Sequence, residues 1–340
     1  MSSVTIRDVA KKAGVGVGTV SRVLNDRNAV SEATRQKVLA AIDALEYTPN
    51  LAARRLSRGK MMAIGVIVPY FTNPSVVRRL QGVVSVVTGS GYDLVLFDIE
   101  KVEQRADFVR NIPRRQLVDG LLIVSLNPTD EDVEELLQAN LPTVLVDANH
   151  PELSRVRVDN VFGGYQATRH LLDLGHRRIG YISDFLNDPF NSPVRDRLQG
   201  YQQALTEAGI AFCSDYHQQG VHSRQQARLM ALDMLQLPDP PTAVFAYSDT
   251  QAVGVLEAAR ELGRRVPQDL SIIGFDNIEA AEYLHLTTVQ QGLYDSGAKG
   301  CQLLLTEMLD PPASATEILL PTQIVMRQTT AVYDNTTRQV

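Results

Sequence analysis

In the first fifty residues the hydrophobic positions recur at helical spacing in three short runs. Ile6, Val9, Ala10 and Ala13 form one stripe, Val20, Val23 and Leu24 a second, and Val38, Ile42 and Leu45 a third. Thr5, with Asp8 three residues later, opens the first run as a capping box carrying Asp in place of the usual Glu or Gln. Gly14 stops that helix, Gly16 serves as N-cap of the second, and Ser31 caps a third that ends before Pro49. Two short helices joined by a glycine turn predict a helix-turn-helix, and three small stripes close one minimal core.

From residue 61 the pattern changes to short apolar runs alternating with helical segments. Strands are expected at Ala63–Val68, Asp93–Phe97, Gly120–Val124, Thr143–Val146, Ile179–Ile182, Ala243–Phe245 and Ser271–Gly274. Helical patterns lie between them, among others at Thr129–Ala139, Gly164–Leu174, Asp196–Ala208, Ser223–Leu235, Asp249–Leu262 and Ser296–Leu309. Such alternation makes parallel sheets with covering helices, and the chain carries about twice the units of one such domain. In open parallel sheets ligands bind beyond the carboxyl ends of the strands. The tail from Met326 to Val340 has no leucine and no heptad repeat and reads as a last strand with a frayed end.

Composition narrows the class. A 340-residue chain that is 44% hydrophobic has ample material for packed cores, which excludes a disordered, collagen-like or disulfide-stapled protein. No run approaches the roughly 18 consecutive apolar residues of a membrane span, and the start of the chain has no apolar leader, so a soluble cytoplasmic protein without a membrane partner is expected. Cys213 and Cys301 make neither a disulfide framework nor a metal or redox motif. The net charge of −6 is unevenly spread: residues 1–60 hold 11 basic against 5 acidic residues, and the remainder holds 22 against 34. A small basic module joined to a large acidic body is the asymmetry expected when one segment meets a polyanion and the rest stays off it.

The basic segment carries specific motifs: Ile6-Arg7-Asp8-Val9-Ala10, Ala13-Gly14-Val15, Thr19-Val20-Ser21-Arg22-Val23-Leu24-Asn25, Val30-Ser31 with Thr34-Arg35, and Tyr47-Thr48-Pro49-Asn50 with Ala53 and Leu56. Together they resemble the DNA-binding head of the LacI/GalR family of bacterial transcription regulators. The resemblance implies that Thr5, Thr19, Ser21, Asn25, Ser31 and Thr34 contact the DNA backbone while Val17, Gly18 and Arg22 face bases. Arg22 can pair with guanine O6 and N7, whereas Val17 offers only apolar contact and Gly18 reads nothing directly. Gly16 stands where the family commonly has Ser, and Gly18 weakens its helix by about 1 kcal/mol relative to Ala. Residues 50–60 can form one short amphipathic helix. The resemblance makes it a hinge that folds over the operator centre, with Leu56 wedged into the minor groove and Ala53 packed beside it, next to Asn50.

The acidic body fits the same family through Val158-Asp159-Asn160, Leu174-Gly175-His176-Arg177-Arg178-Ile179-Gly180-Tyr181-Ile182, Arg197-Leu198-Gln199-Gly200-Tyr201, Val266-Pro267 through Asp276, and Leu286-Thr287-Thr288-Val289. Most of these positions read as packing and turn residues. The implied fold is an all-α helix-turn-helix DNA-binding head plus an α/β periplasmic-binding-protein-like body of two doubly wound lobes. Its divisions fall at 1–49 for the head, 50–60 for the hinge and 61–340 for the effector-binding and dimerisation body. Lobe one takes about 61–160 and 292–320, lobe two 161–291 and 321–340. Arg197 and Asp276 match family positions that bind polar groups of an effector, a forked donor and an acceptor. Asn73 and Asp147, placed after strands, are further candidates. Relatives often carry aromatics where this chain has Ser75-Val76 and Gln219-Gly220-Val221, so stacking on a pyranose or purine falls to Phe71, Phe190 and Tyr247.

Enzyme signatures are weak. Gly14-Val-Gly-Val-Gly mimics a dinucleotide loop but follows no strand, and Gly292 to Lys299 departs from a P-loop because Lys299 does not directly follow Gly297. The six histidines show no zinc spacing, and no cofactor or metal is expected. The resulting expectation is a repressor that binds a pseudo-palindromic double-stranded operator as a homodimer under control of a small metabolite, a sugar or related compound. Its alternatives are a nucleoside or other non-sugar effector, a solute-binding protein, and a sugar-processing enzyme on a doubly wound fold.

Overall fold

The computed structural model describes residues 4–24, 30–47, 60–187 and 193–334. The chain divides into two compact units, Met1–Met61 and Met62–Val340.

In the first unit, helices α1 (Ile6–Ala13), α2 (Val17–Leu24) and α3 (Glu32–Ala44) close a core around Val9, Ala10, Val20, Val23, Val38 and Ala41. The Asp8 carboxylate accepts from the Thr5 amide at 2.8 Å and the Thr5 hydroxyl at 2.7 Å, and Gly14 ends α1 in the left-handed conformation at φ 65°. Gly16 carries the first carbonyl of α2, accepting from Thr19 and Val20. A helix-turn-helix results from these two glycines.

The second unit holds two six-stranded sheets. The first is built from β1 (Ala63–Pro69), β2 (Asp93–Ile99), β3 (Gly120–Val124), β4 (Thr143–Val146), β5 (Ser154–Val158) and β11 (Glu317–Leu320), in the order β11-β5-β4-β3-β1-β2. The second comprises β6 (Ile179–Asp184), β7 (His217–Gly220), β8 (Ala243–Ala246), β9 (Ser271–Asp276), β10 (Thr287–Gln290) and β12 (Gln323–Val325), in the order β12-β10-β9-β8-β6-β7. Every pairing is parallel except β10 with β12. Each sheet therefore winds outward from its first strand in the same sense, a doubly wound lobe repeated. Central strands such as β1, β3, β4 and β8 are buried along their whole length, which is why they read as unbroken apolar runs.

Five strands escape the apolar-run criterion. β5 alternates buried and half-buried positions through Arg155 and Arg157, β7 reads His-Gln-Gln-Gly, and β10 to β12 have only four, four and three residues. The tail expectation needs correction: no strand lies within residues 326–334. The segment instead runs along lobe two. The Thr329 carbonyl accepts from the Ile272 amide at 2.7 Å, the Ala331 amide donates to Ser271 Oγ at 3.1 Å, and the Tyr333 amide donates to the Leu174 carbonyl at 2.7 Å.

Two helix pairs brace the lobes. In lobe one α4 (Pro74–Val87) packs on α12 (Leu293–Leu309), and in lobe two α8 (Pro193–Glu207) packs on α7 (Asn160–Asp173). Glycines set both distances: a Cβ on Gly82 would meet the Tyr294 carbonyl oxygen at 2.0 Å, and one on Gly200 would meet that of Val161 at 2.0 Å. The chain passes between lobes before Asn160, after Gln290 and between Leu320 and Gln323.

Candidate functional site

On the head, Val17, Gly18 and Arg22 are exposed on α2, while Val20 and Val23 on its other side are buried. The Arg22 guanidinium lies back along the helix, 3.8 Å from where a Cβ on Gly18 would stand. Thr19 and Ser21 are half-buried, Thr5 and Ser31 exposed, and the Ser31 and Thr34 hydroxyls bond at 2.9 Å at the start of α3. α2 thus presents a small, open face with one forked cation, the shape that lets a helix approach base edges closely. Asn25, Asn50, Ala53 and Leu56, with the hinge helix, lie outside the described residues, as does Phe190.

In the body, Asn73, Asp147, Arg197 and Asp276 all line one cleft at the carboxyl ends of the strands. Asn73 stands at the N-cap of α4, Asp147 follows β4, Arg197 sits in α8 and Asp276 ends β9. Four of the residues that line the cavity, Tyr70, Ser125, Asp147 and Asp276, have left-handed φ of 49°, 53°, 53° and 117°. Such conformations are unfavourable for residues other than glycine, and their concentration at strand ends turned into one cleft marks a functional constraint.

The cleft is wired by a closed ring of side chains. Arg79 Nη2 donates to Asp147 Oδ2 at 2.5 Å and to Gln291 Oε1 at 3.1 Å, while Gln291 Nε2 donates to Asp276 Oδ1. Asp276 Oδ1 lies 3.8 Å from Arg197 Nη1, Arg197 Nε donates to Asn160 Oδ1 at 2.9 Å, and Asn160 Nδ2 returns to Asp147 Oδ1 at 3.3 Å. Arg79 and Asp147 belong to lobe one, Arg197 and Asp276 to lobe two, and the two amides stand at the crossovers. Each crossover amide donates to the aspartate of one lobe and accepts from the arginine of the other.

Burial pushes the Asp276 carboxyl up, and the nearby Arg197 and Arg79 charges pull it back. On the same wall His222 faces Asp184 at 3.0 Å, and Gln251 Nε2 donates to Asp184 at 2.8 Å. Burial opposes a charge on His222, yet the Asp184 bond and charge raise its pKa above the ordinary value. Tyr247 lines the cleft but its ring is stacked on Arg197, with 4.4 Å from guanidinium carbon to ring centre, and Phe71 is 42% exposed and lies outside the lining. Tyr70, 38% exposed, also lines the cleft and is the tyrosine there that is not stacked on Arg197.

Arg79, Gln291, Asn160, His222 and Asp184 were not singled out from the sequence. A signal for Arg79 exists: Arg79-Leu80-Gln81-Gly82 repeats as Arg197-Leu198-Gln199-Gly200, each arginine three residues before the glycine of a close helix contact.

A helix-turn-helix unit on the same chain as a two-lobed body with a polar cleft defines a ligand-responsive transcription regulator. Residues 5–50 match the family model described as bacterial regulatory proteins, lacI family, and residues 168–330 match the periplasmic binding protein-like domain. Catabolite control protein A of Priestia megaterium is 34% identical over 332 residues, covering 96% of this chain and 99% of its own. The lac repressor dimer bound to operator and the anti-inducer ONPF superposes with a TM-score of 0.86 at 30% identity, over 97% of this chain and 100% of that one. A complex of the transcriptional regulator CelR with cellobiose gives 0.71 at 30% identity, covering 96% and 99%. The chain belongs to the LacI family and is a DNA-binding transcription regulator. Among the described residues no helix is long and apolar enough to cross a membrane.

Proposed function

We propose that the protein is a cytoplasmic, non-enzymatic repressor that binds a pseudo-palindromic operator as a homodimer and changes its operator affinity when a small metabolite enters the body cleft. The head, residues 1–49, reads base edges through Val17, Gly18 and Arg22 and clamps phosphates through Thr5, Thr19, Ser21, Asn25, Ser31 and Thr34. Residues 50–60 form the hinge, with Asn50, Ala53 and Leu56 at the minor groove. The body, 61–340, holds the effector through Asn73, Asp147, Arg197 and Asp276.

The observation that carries this reading is the convergence of those four residues, from both lobes, on one cleft in a chain that also bears the head. A ligand that touches both lobes binds their relative arrangements unequally, and linkage carries that preference to the operator when the operator-bound dimer favours one arrangement. The lac repressor complex with operator DNA and the CelR complex with cellobiose support DNA and a sugar as the two partners. A palindromic operator selected from random DNA, followed by fluorescence anisotropy with and without sugars and nucleosides, tests it. The expected outcome is binding to one symmetric sequence, weakened or strengthened by one ligand class. Equal binding to all sequences would refute the specific-regulator reading.

A further inference from the structure

The six charged groups of the cleft fall into three pairs: Arg79 with Asp147, Arg197 with Asp276, and His222 with Asp184. Each pair sets one basic side chain against one carboxyl group. Asp249, just behind Asp276, is fully buried, and that burial pushes its carboxyl well above the usual range while Thr288 Oγ1 and the Ile278 amide, which donate to it, pull it back. The lobe-two pairs are attached to backbone and ring partners of their own lobe. In the lobe-one pair Arg79 is the cation facing Asp147, whose carboxylate also accepts from Ser125 Oγ and Asn160 Nδ2 at 3.3 Å; the Arg79 side chain is 2% exposed and also donates to Ser296 Oγ at 3.1 Å.

We propose that Arg79 is an effector-specificity residue, which cancels the Asp147 charge at the lobe-one end of the cleft and thereby restricts the site to uncharged polyhydroxylic ligands. The proposal rests on the reading of this cleft as the effector site. An anionic ligand would have to draw a guanidinium from its aspartate and leave a buried carboxylate unpaired, and a cationic ligand would have to do the reverse. Hydroxyls meet no such obstacle, because each can donate to an aspartate and accept from an arginine without dissolving the pair. Arg79 also fixes the Asp147 carboxylate, whose second oxygen accepts from Asn160. It does for lobe one what Arg197 does for lobe two, from the same place in a repeated Arg-Leu-Gln-Gly segment.

The test uses the full chain and charge-matched probes: glucose, glucosamine and glucuronate; ribose and ribose phosphate; cytidine and cytidine monophosphate. Binding is followed by thermal shift and calorimetry for wild type, Arg79→Met, Arg79→Lys and Asp147→Asn, with circular dichroism to establish folding. Wild type should bind an uncharged member of one set and reject its charged counterparts. Arg79→Met should lose about tenfold for that member and gain about tenfold for a cationic counterpart, because Asp147 is left unpaired. Arg79→Lys should restore rejection of the cation while binding the neutral member more weakly, since it keeps the charge without the fork. Asp147→Asn should gain an anionic counterpart, and it carries the test by itself if Arg79→Met does not fold. A charged probe that binds wild type as well as its neutral partner, or an unchanged charge preference in the folded variants, overturns the role of Arg79 and leaves the cleft reading intact. Silence of every probe on every chain overturns the cleft reading, and the role of Arg79 falls with it.

Discussion

The guanidinium carbon of Arg197 lies 3.6 Å from the centre of the Phe275 ring, while the ring of Tyr247 covers it at 4.4 Å. A charge 98% removed from solvent is tolerated there because the flat cation meets π faces, donates to the Tyr247 carbonyl at 2.7 Å and to Asn160 at 2.9 Å, and has Asp276 nearby. Lysine has the charge but neither the plane nor the fork. Arg197→Lys should therefore destabilise the body by about 2–4 kcal/mol in urea unfolding and abolish the effector response. A variant of wild-type stability would show that the ring stack and the fork contribute nothing.

Arg22 and Gly18 make a second pair. Because a Cβ on Gly18 would meet Arg22 only at ordinary contact distance, Gly18→Ala should raise the stability of the head by about 0.5–1 kcal/mol. Arg22→Ala should instead cost specific binding about 1–3 kcal/mol and relax the preference at one base pair of each half-site. Anisotropy against operators varied at single positions measures both. A uniform loss on specific and random DNA would reduce Arg22 to a phosphate contact.

One buried and one half-buried histidine, His176 and His217, make the body sensitive to acid. Burial depresses both His176 and His217 from the ordinary 6.5 to about 4. The His176 ring lies between the Thr242 hydroxyl at 2.9 Å and that of Ser271 at 3.0 Å. Unfolded, each takes up a proton near 6.5. Below that pH these two side chains bind more protons in the unfolded chain than in the folded one, so the stability they contribute is lost as pH drops from about 6.5 toward 4. Unfolding free energies measured from pH 6.5 to 5 should show this slope, and His176→Gln should flatten it by up to one proton. An unaltered slope in that variant would mean that His176 titrates alike in both states.

Legibility in the sequence followed burial. β1, β3 and β4 were readable because strands covered on both faces are continuous apolar runs. β7, written His-Gln-Gln-Gly at a sheet edge, and the three-residue β12 carry no such run; only their sheet neighbours define them. Asn73 and Asp147 could be placed at the cleft because strand ends follow from strands, whereas Arg197 and Asp276 were placed there by the family resemblance. Arg79 could not, since a helical arginine reads as a solvated side chain until the packing of α4 on α12 buries it. Gln291 and Asn160 are likewise ordinary amides whose role comes from standing at crossovers between two lobes.

The Arg-Leu-Gln-Gly repeat offers a test of that packing. Gly82 and Gly200 occupy the same place relative to Arg79 and Arg197, and in each a Cβ would stand 2.0 Å from a carbonyl oxygen of the neighbouring helix. Backbone, not a movable side chain, blocks the space on both sides. The partner helices approach equally closely in return, Gly297 against the Arg79 carbonyl at 2.0 Å and Gly164 against that of Arg197 at 2.3 Å. The added methyl can be accommodated only by separating the helices, which displaces the arginine one turn away. Gly200→Ala should thus cost at least about 2–3 kcal/mol of stability, the upper range for overpacking, and weaken effector binding in any fraction that folds. Gly82→Ala should do the same in lobe one. Gly263→Ala, where no atom stands within 4 Å but φ is 68°, is the control: it should cost only backbone strain, about 1 kcal/mol, and leave ligand binding unaltered. Equal thermal unfolding curves for all three variants would show that the helices can separate without loss.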